Sequence, residues 1–152
     1  PQKAKEFMER TGCDFLAVAI GTSHGAYKFR GKPQLRFDLL QEIRKKINVP
    51  LVLHGASGVP KQLISLAEHY GAKLSGVQGI PNVQLKKAIA GGITKINIDT
   101  DLRIAFDSAV RKAIYQSPTD FDPRHLLGPA RDAIQKVAEE KIKLFGSAGK
   151  AR

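Results

Sequence analysis

The sequence predicts an α/β fold built on parallel strands, and three stretches predict it. Residues 15–20 (Phe-Leu-Ala-Val-Ala-Ile) form a continuous apolar run, the pattern of a strand buried on both faces of a parallel sheet. Residues 51–53 (Leu-Val-Leu) read as a second short buried strand, and 93–98 (Ile-Thr-Lys-Ile-Asn-Ile) alternate as a third. Helix-forming sequence separates each pair. The result is a βαβαβα series with right-handed crossovers.

In chain order, Ala4, Phe7 and Met8 lie at helical spacing over residues 3–10, and Gly12 stops that helix. The first strand runs into 21–28 (Gly-Thr-Ser-His-Gly-Ala-Tyr-Lys). Asp38 is expected to cap a helix with Leu39, Leu40, Ile43 and Ile47 on one face and a Glu42–Lys46 pair on its surface. Asn48, Val49 and Pro50 turn the chain into the second strand. A helix over 60–70 should bury Leu63, Ile64 and Ala67. The polar stretch 71–81 reads as an excursion. A short helix near 83–90 ends at Gly91-Gly92, ahead of the third strand. The next helix carries Leu102, Ala105, Phe106, Ala109 and Ile114 on its apolar face. A proline-bearing connector over 117–129 then leads to a last helix, opened by Pro129 and stopped by Gly146.

Composition narrows the functional classes. The 152 residues have the length of one domain, and 42% apolar content can fill a core. No apolar run reaches the roughly 18 residues of a membrane helix, and no signal peptide is visible. The single cysteine, Cys13, excludes an internal disulfide, which makes a reducing cytoplasm the expected compartment. The 25 basic against 14 acidic residues give +11, but these charges are dispersed and aromatic residues are only 7%, so stacking platforms for nucleic acid are not expected. Small anionic substrates, or an acidic portion of the protein lying elsewhere, account for the charge. The chain opens inside a helix without an initiator methionine, which suggests a fragment.

All three strands end in polar or ionisable groups: His24, His54, and the set Asn97, Asp99 and Thr100. Carboxyl ends of strands are where α/β folds place their chemistry. Two histidines at matching positions on successive parallel strands face one point, as a zinc site with an open position requires. Each is equally readable as a polar strand end bonded to a neighbour. Gly25, Gly55, Ser57 and Thr100 could line an anion pocket with Lys28 supplying charge, or simply permit tight turns. Asn97 on a buried strand should find a hydrogen-bond partner. Asp99 is either part of a site or the N-cap of the next helix, and Arg103, one turn on, could pair with it at the surface. His69 reads as structural in the last turn of a helix. His125 lies in the connector with no companion, and Cys13 has no positioned base.

Four stretches, 16–28 (LAVAIGTSHGAYK), 51–60 (LVLHGASGVP), 93–106 (ITKINIDTDLRIAF) and 121–149 (FDPRHLLGPARDAIQKVAEEKIKLFGSAG), closely resemble class II fructose-1,6-bisphosphate aldolases. The resemblance covers essentially the whole chain. It implies that residues 1–152 are one segment, the C-terminal half of a TIM (β/α)8 barrel with strands six to eight, its N-terminal half absent. It implies Zn2+ held by His24 and His54, and a dihydroxyacetone phosphate pocket of Gly25, Lys28, Gly55, Ser57, Asp99 and Thr100. Asn97 matches the residue that steadies the enediolate, and Arg103 the arginine for the far phosphate. A monovalent cation (Na+ or K+) near the first phosphate and a homodimer or homotetramer are also implied. The third zinc histidine, the acid–base aspartate and a mobile glutamate loop would belong to the absent half, so this segment alone should be inactive. Tagatose-1,6-bisphosphate aldolase is the nearest rival. Its members typically carry Ala at the position of Asp99 and Glu at that of Asp101, and lack Lys28, so Asp99, Lys28 and Arg103 together favour the fructose bisphosphate. A non-catalytic phosphate or nucleic-acid binding module is the alternative from another class.

Overall fold

The computed structural model describes residues 1–22, 33–74 and 76–151. The chain divides into two compact units, one of residues 1–57 and 79–98, the other of 58–78 and 99–152.

The first unit holds three parallel strands in the order β1-β2-β3: β1 (Leu16–Ala17), β2 (Leu51–Leu53) and β3 (Ile93–Ile96). Leu16 stands opposite Leu51, and Leu53 opposite Ile96, with a register irregularity between Leu51 and Val52. The helices of this unit are α1 (Gln2–Thr11), α2 (Phe37–Lys46) and α4 (Asn82–Ala90). Gly12 ends α1 in the left-handed conformation at φ 62°, its N–H donating to the Met8 carbonyl, as a C-terminal glycine should. The core gathers Ile20, Leu40, Ile47, Leu51, Leu53 and Leu85, each 2% exposed or less.

Two expectations are corrected in this unit. The run 15–20 is not buried on both faces: Val18 and Ile20 are buried, whereas Phe15 is 59% exposed and Ala17 and Ala19 also face out. Asp38 is not the cap of α2. The cap position belongs to Arg36, and Asp38 sits in the first turn, where the Arg36 guanidinium grips it at 2.6 Å. Lys46 reaches Gln2 of α1 at 3.2 Å.

The second unit packs α5 (Thr100–Gln116) against α3 (Lys61–His69) and α6 (Pro123–Leu144). Of the three apolar residues expected inside α3, Ala67 is buried and Leu63 and Ile64 are half-buried. The buried side of α5 is Asp101, Ile104, Ala105 and Ser108, whereas Phe106 is 39% and Ile114 50% exposed. Helix α6 begins at Pro123, not at Pro129. Asp122 caps it by accepting from the Arg124 N–H at 2.9 Å, with a proline at the first helical position, and Pro129 is carried inside the helix. His125 therefore lies in the first turn of α6, and its Nδ1 is 2.9 Å from Asp120 Oδ2, a companion absent from the sequence reading. No helix among the described residues is long and apolar enough to cross a membrane.

Candidate active site

In the first unit the decisive feature is where β2 ends. Its three residues are buried, and the next, His54, is exposed. An apolar strand in a sheet holds its backbone rigidly, so the side chain at its carboxyl end is aimed by the sheet and yet open to a ligand. Gly55 follows at φ 64°, a conformation that costs a glycine little, and the chain turns through buried Ala56 and Ser57. The Ser57 carbonyl accepts the Ile80 N–H at 2.9 Å, so the end of the 71–81 excursion supports this turn.

Beside it, the chain beyond β3 continues the ladder: the Asn97 N–H donates to the Leu53 carbonyl at 3.0 Å, immediately before His54. The half-buried Asn97 side chain accepts from Lys95 Nζ at 2.6 Å, so the partner expected for it exists and is an ammonium. Thus His54, Gly55, Ser57 and Asn97 come from the carboxyl ends of adjacent parallel strands.

His24, Gly25 and Lys28 lie outside the described residues. The flanks of that segment are held: Arg36 N–H donates to the Ile20 carbonyl at 2.8 Å. Gln84 of α4 receives Leu35 N–H at 2.7 Å and donates to Pro33 O at 2.9 Å. Among the described residues no three His, Cys, Asp or Glu side chains gather as a metal cage. The described donor set is one imidazole at a strand end, chemically suited to zinc and incomplete without donors from elsewhere.

In the second unit Asp99 and Thr100 open α5. Asp99 holds the cap position without a side-chain cap bond, and instead pairs with Arg103 Nε at 2.9 Å, both side chains well exposed. That is the surface pair foreseen for these residues. Thr100 is half-buried. The sequence reading did not foresee the group buried one residue on. Asp101 is fully enclosed, bound to Lys141 Nζ at 2.9 Å and to the N–H groups of Gly58 at 3.1 Å and Val59 at 2.8 Å. A cavity of about 820 Å³ in this unit lies elsewhere, among Leu63, Leu66, Ala109, Ala113 and Val137 on the helices.

Comparison with known proteins adds to this geometry. The model of the fructose-bisphosphate aldolase class-II family matches residues 1–150. The chain belongs to that family. Among its relatives, the fructose-bisphosphate aldolase of Thermus caldophilus is 51% identical over 151 residues, covering 99% of this chain and 50% of that protein. The fructose-bisphosphate aldolase of Giardia intestinalis is 48% identical over 153 residues, covering 99% and 47%. The crystal structure of the YdjI aldolase from Escherichia coli K12 superposes with a TM-score of 0.70 at 40% identity, over 100% of this chain and 46% of that one. The chain spans about half the length of the fructose-bisphosphate aldolase relatives it matches.

Proposed function

We propose that this chain is the C-terminal half, strands six to eight, of the (β/α)8 barrel of a zinc-dependent class II aldolase. The enzyme cleaves fructose 1,6-bisphosphate to dihydroxyacetone phosphate and glyceraldehyde 3-phosphate. The observation that carries the reading is the family match over residues 1–150 joined to the exposed His54 at the end of a buried parallel strand. The half-barrel is supported by the three-strand sheet, whose outer strands each lack a second neighbour among the described residues, and by the outward face of β1 at Phe15, Ala17 and Ala19.

The chain's own residues then take these parts. His54 and His24 would hold the metal, which when bound supplies Lewis-acid polarisation of the substrate's ketone. Gly55 and Ser57, with Gly25 and Lys28, hold the first phosphate through backbone N–H, hydroxyl and ammonium groups. A monovalent cation, Na+ or K+, neutralises the same phosphate. Asn97, fixed by Lys95 and by its ladder bond to Leu53, orients the substrate's oxygens where charge develops. Asp99 and Thr100 take the substrate's hydroxyl and phosphate oxygens. Arg103 exchanges Asp99 for the far phosphate, a step its exposed pair makes inexpensive. The remaining metal and proton-transfer groups come from the other half of the barrel, and the 152-residue segment alone is inactive. The enzyme works in the cytoplasm as a homodimer or homotetramer, and binds neither nucleic acid nor membrane.

The test uses the protein at the length of its relatives, loaded with zinc and given the two epimeric bisphosphates. Preferred cleavage of fructose 1,6-bisphosphate is expected. Preference for the tagatose epimer, or salt-sensitive nucleic-acid binding with no cleavage, overturns the assignment.

A further inference from the structure

We propose that Asp101 and Lys141 are positioning residues that hold the turn following Ser57, and through it the sugar phosphate; this deepens the aldolase reading and rests on it. The carboxylate is fully buried and takes three donors: Lys141 Nζ and the Val59 N–H on Oδ1, the Gly58 N–H on Oδ2. No buried side-chain nitrogen or oxygen among the described residues is left without a partner. The pair is therefore a finished device and not a packing accident.

What it holds is unusual. Val59 has φ 39°, the left-handed region that a β-branched residue avoids, and it is only 5% exposed. Such a conformation persists where surrounding contacts over-determine it. Here the contact is the Val59 N–H on Asp101, 42 residues away in the chain. The turn follows directly on Gly55-Ala56-Ser57, the residues proposed to hold phosphate. With the Gly58 and Val59 N–H groups consumed by Asp101, an anion at this turn is met by the groups before them. The path on which the chain leaves Ser57 is set by the buried carboxylate.

Stability alone is a weak reason for this arrangement. A buried ion pair is desolvated at a cost that apolar residues of similar volume avoid, and replacing such pairs is often neutral or stabilising. The pair also joins the first turn of α5 to the last turn of α6. It makes a C-terminal helix, which holds none of the proposed ligands, a support of the phosphate turn.

The experiment uses the zinc-loaded enzyme at full length and the double variant Asp101→Asn/Lys141→Met, which removes both charges and leaves no buried ion unpaired. KM and kcat for fructose 1,6-bisphosphate are measured with zinc content and with amide hydrogen exchange at Gly58 and Val59. The expected result is a KM raised about tenfold with kcat within about threefold, zinc unchanged, and faster exchange at both amides. A merely structural pair would lower the unfolding midpoint and leave KM alone. A wild-type KM in the double variant, or unchanged exchange at Gly58 and Val59, overturns the proposal. Exchange is read without substrate, so a wild-type enzyme that cleaves no sugar bisphosphate refutes the aldolase reading separately from the clamp.

Discussion

Removing the ammonium of Lys141 while leaving Asp101 in place separates a buried charge pair between α5 and α6 from the exposed Asp99–Arg103 pair at the start of α5. In Lys141→Met the carboxylate of Asp101 stays enclosed with only the Gly58 and Val59 N–H groups to offset its lost hydration. Breaking a buried pair from one side costs about 3–5 kcal/mol. The two retained N–H bonds put this case near the lower end, about 3 kcal/mol, since hydrogen bonds to a charged group are each worth about 1.5–3 kcal/mol. The internal control is Arg103→Ala, which removes the Asp99 pair whose side chains are 64% and 78% exposed, and should cost under about 1 kcal/mol. Adding Asp101→Asn to Lys141→Met should recover about 1–2 kcal/mol, a coupling expected only of residues in contact. The assay is urea unfolding of the full-length protein, comparing midpoints at constant slope. A Lys141→Met variant as stable as Arg103→Ala would refute the reasoning, because the pair would then be hydrated and not enclosed.

In the full-length protein, His54→Ala should abolish zinc retention and activity together, whereas Arg103→Ala should keep zinc and mainly weaken use of the bisphosphate; metal analysis beside kinetics reads both. Gly21→Ala should lower the unfolding midpoint, since Gly21 has φ +95° and an added Cβ would lie 2.7 Å from the Gln34 carbonyl oxygen. Overpacking alone costs about 1–3 kcal/mol, and the left-handed backbone adds to it. The Arg36 hydrogen bond, with help from the Leu39 N–H, holds the Asp38 carboxyl at about 2 instead of 3.8. Because its folded value is depressed, its contribution is full above pH about 4 and is lost as pH falls through about 2. Carboxyl NMR should find that midpoint, and Arg36→Gln should return it toward the ordinary range.

Much of the architecture was legible because it rests on local pattern. The buried strand β2 reads as an apolar run, a glycine at φ 62° ends α1 where Gly12 announced it, and an ionisable residue at the end of that run marks His54. The same locality explains the failures. Pro129 looked like a helix start because proline is strongest there, but the Asp122-Pro123 dipeptide six residues earlier is the true start, and α6 runs on through Pro129 with one backbone bond fewer. The Arg36–Asp38 contact replaced the expected cap because a guanidinium two residues away competes for the carboxylate.

By itself, then, the sequence determined the series of parallel strands, the residues that follow the second and third of them, and the family. Only the tertiary structure decided which side of α5 is inside. Apolar spacing pointed to Leu102, Ala105, Phe106, Ala109 and Ile114, yet of these only Ala105 is buried, and it shares the inner side with Asp101, Ile104 and Ser108. A carboxylate can be buried only if donors are brought to it, and these come from Gly58 and Val59, more than forty residues upstream, and from Lys141 on another helix. No local pattern of hydrophobicity encodes that meeting, because its free energy exists only once the three segments are packed.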